Sequence, residues 1–207
     1  MPGLFVSLDG IDGTGKSTQC RVLAEWLRSA GHTVTTCTDP GGTPVGDLLR
    51  ALVLGRQHDM TLACEALLFM ASRAELVAKV IRPALDRGEI VICDRFLLAN
   101  VVYQGHAGGL RPEDLWEAGK LSTGGLEPDL TIVLDLSAQN AVARRKETAD
   151  RVEARGMDYH ERVRTGFLTE ARRRLDRMVI VDAQGNIDTV KGLIRAAIEP
   201  RLPKAKP

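Results

Sequence analysis

The run Gly10-Ile11-Asp12-Gly13-Thr14-Gly15-Lys16-Ser17 fits the spacing G-x-x-x-x-G-K-[ST], and few folds can accommodate it. A short apolar stretch, Leu4 to Leu8, precedes it, and a helix-like stretch from Thr18 to Ala30 follows. Between a strand and a helix, glycines let the backbone wrap an anion so that successive N–H groups point at it, and the helix adds its positive end. The run therefore predicts a nucleoside triphosphate cradle formed by Gly10, Ile11, Asp12, Gly13, Thr14, Gly15, Lys16, Ser17 and Thr18. Lys16 is expected to reach the β- and γ-phosphates, and Ser17 to offer its hydroxyl to magnesium. A dinucleotide fingerprint is excluded, because Gly13-Thr14-Gly15-Lys16-Ser17-Thr18 lacks the third glycine or alanine.

Four more runs read as strands: Thr33 to Cys37, Ile90 to Cys93, Leu130 to Leu134 and Met178 to Val181. With Leu4 to Leu8 they make five, most of them apolar on both faces, as strands of a parallel sheet covered by helices are. Helices are expected at Val45 to Leu54, Thr61 to Arg87 with a kink or split at Pro83, and Pro112 to Leu121. Ala138 to Lys146, Tyr159 to Asp176 and Ile187 to Ile198 read the same way. The expectation is one α/β domain over residues 1–207, a five-stranded parallel sheet flanked by helices, with a loose tail from Pro200 to Pro207.

With 28 Lys and Arg against 27 Asp and Glu, the net charge of +1 gives no global attraction to a nucleic acid polymer or a membrane surface. The segment from Arg144 to Arg177 nevertheless holds eleven basic and seven acidic residues, so the rest of the chain is slightly acidic. Cys20, Cys37, Cys64 and Cys93 lie too far apart for a zinc or redox motif, which fits a reducing compartment, and a cytoplasmic location is expected. The longest apolar run, Ala66 to Ala71, is far below the ~20 residues that span a bilayer. No basic-then-apolar leader opens the chain, so no cleaved signal peptide is expected.

A triphosphate loop leaves a small-molecule kinase, a GTP switch and an ATP-driven motor open. A guanine-reading Asn-Lys-x-Asp is missing, since no Asn-Lys pair occurs, and a motor is usually larger. A kinase must hold a second substrate opposite the triphosphate, and its residues should lie at the carboxyl ends of the strands. Asp39 to Thr43, Asp94-Arg95-Phe96 and Asp135 qualify. Asp94 can hold magnesium, and Arg95 can grip a phosphoryl group through two parallel hydrogen bonds. Asn100, Tyr103 and Gln104 share one face if their stretch is helical, although Tyr103 also suits a core, as does Phe69.

In order and spacing, the loop, Asp39-Pro40-Gly41-Gly42-Thr43, Leu67-Leu68-Phe69-Met70-Ala71-Ser72-Arg73, Asp94-Arg95-Phe96 with Tyr103-Gln104-Gly105, Pro128-Asp129 through Asp135, and Asp150-Arg151-Val152-Glu153 resemble the thymidylate kinase family from Leu4 to about Ile198. The resemblance implies ATP and dTMP as small-molecule substrates, Mg2+ as cofactor, a homodimer, and no polymer or membrane partner. It implies that Phe69 stacks on the thymine ring, that Arg73 donates to its carbonyl, and that Arg50 and Arg95 grip the thymidylate phosphate. Asn100 falls where the base edge is contacted, beside Gln104, Tyr103 where a ring crowds the 2′ position, and Asp12 near the 3′ side of the sugar. A lid of about residues 144–156 is implied to deliver a catalytic cation, with Lys146, Arg151 and Arg155 available and Arg151 inside the lid motif, because Gly13 stands where other members carry arginine. Lys16, Arg95 and Arg151 are thus the implied catalytic residues. Ala99 and Val101 replace polar residues common in the family, so thymine reading is expected to differ in detail, and Asp9 and Asp39 stand where glutamate is common.

Overall fold

The computed structural model describes residues 3–55, 58–144 and 156–203. Five parallel strands form one sheet in the order β2-β3-β1-β4-β5: β1 (Leu4–Asp9), β2 (Val34–Thr38), β3 (Ile90–Asp94), β4 (Leu130–Asp135) and β5 (Met178–Asp182). All five coincide with the expected runs to within one residue. Along β1 and β3, alternate side chains feed two cores. Leu4, Val6, Leu8, Ile90 and Ile92 face one cluster, whereas Phe5, Val91 and Cys93 face the other. Both faces are dry, which is why the strands read as continuous apolar runs rather than alternating ones.

The helices are α1 (Lys16–Ser29), α2 (Pro44–Leu54), α3 (Leu62–Leu76), α4 (Arg82–Asp86), α5 (Leu97–Asn100), α6 (Pro112–Thr123), α7 (Ala138–Ala143), α8 (Met157–Arg173) and α9 (Ile187–Ile198). As expected near Pro83, the run is split into two α-helices, and Pro83 sits in the first turn of the second. Between α3 and α4 the chain widens into a π-helical stretch, Val77–Ile81, which moves the preceding carbonyls away from the proline ring and lets the helix continue. A second π-helical stretch, Val101–His106, extends α5, and every residue from Phe96 to Gly105 is buried. The tail expected to be loose from Pro200 is pinned where it starts: a single 3-10 turn, Glu199–Arg201, ends α9 and Leu202 packs against the core. Among the described residues no helix is long and apolar enough to cross a membrane.

Because β1 is central, with β3 on one side and β4 on the other, its carboxyl end is where successive connections depart in opposite directions. A crevice opens at that point in open parallel sheets.

Candidate active site

The loop Gly10–Gly15 leaves the end of β1 and enters α1 through Gly15, whose φ of 90° suits glycine. No side chain caps this helix and no acid occupies its first turn, so its leading N–H groups are left for an anion. Gly13 allows no side chain: a Cβ there would lie 2.0 Å from the carbonyl oxygen of Ala141, which presses the loop onto α7. The Lys16 ammonium is buried and folds back on the loop, donating to the Ile11 carbonyl at 2.8 Å and lying 3.9 Å from Asp12. Burial, and then the Arg95 charge, lower its pKa to about 8. Thr14 Oγ1 donates to the same carbonyl. Ser17 Oγ donates to Asp94 Oδ2 at 2.5 Å, bringing two hard oxygens together beside the phosphate cradle.

Arg95 follows β3 with a φ of 69°, a left-handed conformation that non-glycine residues adopt at a cost. That turn aims its guanidinium across the sheet edge, where it donates to the Gly10 carbonyl at 3.1 Å and to Asp12 Oδ1. It also lies over the Tyr103 ring, 5.1 Å from the centroid. Burial opposes its charge, yet Asp12, Tyr103, Asp94 and Asp9 together hold its pKa above the usual range. The Tyr103 hydroxyl donates to Asp12 Oδ2 at 2.7 Å, so Tyr103 is both core and site. Its carbonyl accepts from the Tyr159 hydroxyl at 2.9 Å, which ties α8 to the second π-helical stretch.

At the far end, Arg73 is buried and held on two sides: Nε donates to Asp39 Oδ2 at 2.6 Å and Nη1 to Asn100 Oδ1 at 3.2 Å. Asn100 Nδ2 donates to Gln104 Oε1 at 2.8 Å, and Gln104 Nε2 to Glu65 Oε1 at 2.6 Å. Arg50 donates to the Pro40 carbonyl at 2.6 Å. Phe69 is half-buried and belongs to neither core cluster, so the core expectation for it does not hold. One cavity of about 680 Å³ joins these groups, lined at one end by Gly15, Lys16 and Ser17 and at the other by Phe69, Arg73 and Asn100, with Asp94, Arg95 and Tyr103 between. Arg50, Asp12, Gln104, Gly13 and Thr18 also line it. Its size suits small organic ligands.

Asp135 is not brought to this cavity. Arg164 of α8 grips both of its oxygens, at 2.7 and 3.0 Å. Arg151, Lys146 and Arg155 lie outside the described residues. Two participants were missed. Arg144 lines the cavity while donating to the Ala183 and Gln184 carbonyls after β5; its only sequence signal is its place at the head of the basic segment. Glu65 is buried beneath Gln104, and its signal is an acid eight residues before Arg73 on a mostly apolar helix. Asp9, at the end of β1, is fully buried, and neither carboxylate oxygen meets a hydrogen-bond partner. Burial raises its pKa to about 6 against the pull of Arg95, the nearby Ser7 hydroxyl, Lys16 and the Phe96 backbone.

An anion cradle at one end of a cavity, an aromatic face with a fixed donor fork at the other, and an arginine between can hold two phosphorylated ligands head to head. The thymidylate kinase family profile matches residues 8–194. The thymidylate kinase of Rhodopirellula baltica is 48% identical over 96% of this chain and 80% of its own. That of Symbiobacterium thermophilum is 44% identical over 97% and 95%. The crystal structure of thymidylate kinase from Ehrlichia chaffeensis superposes with a TM-score of 0.81 at 27% identity, covering 96% of this chain and all of that one. By profile, sequence and fold together, the chain belongs to the thymidylate kinase family.

Proposed function

We propose that the protein transfers the γ-phosphoryl group of ATP to dTMP, giving ADP and dTDP. This cavity carries the reading, because it joins the loop at Gly15, Lys16 and Ser17 to a pocket lined by Phe69, Arg73 and Asn100, with Arg95 between them. A phosphate monoester is already an anionic nucleophile, so the protein need supply position and charge rather than a strong base. The leading N–H groups of α1 and Lys16 hold the donor's phosphates. Arg95 and Arg50 hold the acceptor phosphate, and Arg95, fixed by Asp12 and the Gly10 carbonyl, bridges the two. Phe69 offers a face to the base, Arg73 and Asn100 read its edge beside Gln104, and Asp12 and Tyr103 close around the sugar. Arg151 adds a cation to the transferring group.

Ser17 Oγ and Asp94 fit magnesium, which takes few protein ligands and keeps water and phosphate oxygens. When bound, the ion neutralises charge on the phosphates. We further propose a single domain working in the cytoplasm as a homodimer. Leu48 and Leu52, one turn apart on α2, and Leu67 on α3 are exposed apolar side chains that a second copy would cover.

ADP release measured across dTMP, dUMP, dCMP, dGMP and thymidine tests the activity. The expected outcome is turnover that depends on acceptor, is greatest with dTMP, and falls roughly 100-fold or more in Lys16→Ala and Arg95→Ala. Preference for another acceptor would overturn the substrate, and slow hydrolysis indifferent to acceptor would point to a nucleotide switch.

A further inference from the structure

Five buried side chains, none more than 2% exposed, form an unbroken chain beneath the pyrimidine pocket: Asp39, Arg73, Asn100, Gln104 and Glu65. Arg73 at one end of the amide pair has only donors, and the Glu65 carboxylate at the other has only acceptors. Between them, two amides have one self-consistent orientation. Gln104 must turn its NH2 to Glu65 and its oxygen to Asn100, and Asn100 must turn its NH2 to Gln104 and its oxygen to Arg73. Reversing either amide sets donor against donor or oxygen against oxygen, in a buried setting where a lost partner is expensive.

We propose that Glu65, which is remote from the base, is a positioning residue that fixes which pyrimidine edge the pocket accepts; the inference rests on dTMP being the acceptor. With the relay locked, the cavity presents an acceptor from Asn100 beside donors from Arg73. That order matches a thymine or uracil edge, which offers N3–H and then a carbonyl oxygen at C4. It mismatches cytosine, which offers an unprotonated N3 and then an amino group. Removing Glu65 leaves the Gln104 NH2 without its buried acceptor, so Gln104 is no longer held in place, its grip on Asn100 weakens and the choice relaxes. Glu65 thus acts through two amides and not by contact with the ligand.

The test is steady-state kinetics with dTMP and dCMP on the wild-type protein, Glu65→Met and Glu65→Gln, with thermal midpoints recorded alongside. Glu65→Met is expected to raise the KM for dTMP on the order of tenfold, to lower the dTMP-over-dCMP ratio of kcat/KM by a similar factor, and to leave the KM for ATP unchanged. Glu65→Gln keeps a carbonyl acceptor in the same place and is expected to restore both values. A wild-type ratio in Glu65→Met, or an equal rise in the KM for ATP, overturns the proposal, since a purely structural role would lower the midpoint without moving selectivity. If Glu65→Met does not fold, Gln104→Met breaks the same relay one link nearer the base, and an unchanged ratio there overturns it equally. A wild-type protein that itself shows no preference for dTMP over dCMP overturns the acceptor assignment, a failure visible before any variant is measured.

Discussion

Asp9 shows what a single side chain can cost at the root of a phosphate site. Its carboxyl is fully buried with no well-formed hydrogen bond, and burial outweighs Arg95, Ser7, Lys16 and the Phe96 backbone to raise its pKa from 3.8 to about 6. Between those values the folded chain keeps a proton that the unfolded chain releases, so stability falls as pH rises from about 4 to about 6 and stays lower above that. Two pKa units correspond to about 3 kcal/mol. Asp9→Asn, which mimics the protonated form, is expected to match the wild type at pH 4 and to exceed it by about that amount at pH 7, measured by urea unfolding of the ligand-free protein. Parallel stability curves across this range would remove Asp9 from the account. Side chains inside a spaced motif, such as Lys16, Ser17 and Arg95, were legible in the sequence because the motif supplies both their chemistry and their place. Phe69 and Arg73 were legible through family resemblance. Glu65 was not, since nothing local says whether an acid on an apolar helix faces solvent or a buried amide.

Strands and amphipathic helices were readable because their periodicity reports burial on one or both faces. The stretch from Phe96 to Gly105 was readable only in part: Asn100, Tyr103 and Gln104 fit one helical face, but every residue is buried, so that face marks the cavity and not a solvent boundary. The π-helical form of its second half was hidden, and it is the part that carries Tyr103 and Gln104. The tight seat of α8 against it explains Gly166: a Cβ there would lie 2.8 Å from His106 Cβ and 3.0 Å from Val102 Cγ1. Gly166→Val is therefore expected to destabilise by about 2 kcal/mol, read as a lower urea midpoint with an unchanged slope. Undiminished stability would mean that the two elements have room to separate.

At the scale of the molecule, the parallel sense of the sheet followed from its doubly apolar strands, whereas the order β2-β3-β1-β4-β5 did not, because pairing between distant segments leaves no local mark. Net charge was a poor guide to ligands for a related reason: Lys16, Arg50, Arg73 and Arg95 meet at one cavity, where Asp12, Asp39 and Asp94 offset part of their charge, and the remainder is balanced elsewhere. The exposed Leu48 and Leu67 lead to a prediction about assembly. Sedimentation equilibrium at tens of micromolar is expected to give a dimer for the wild type and a monomer for Leu48→Glu combined with Leu67→Glu; a monomeric wild type would refute the assembly.

The central place of β1 also governs how the protein can be made. Within this sheet β1 is made before its partners and does not pair with β2, the strand that follows it: Leu4 waits for Ile90, and Val6 for Leu130. Until those segments emerge, Phe5, Val6 and Leu8 have no sheet to complete, and the glycine loop behind them has no rigid base. The phosphate cradle, although it precedes most of the sheet in sequence, gains its rigid base only once β3 and β4 have joined β1, and nucleotide finds a formed cradle only then.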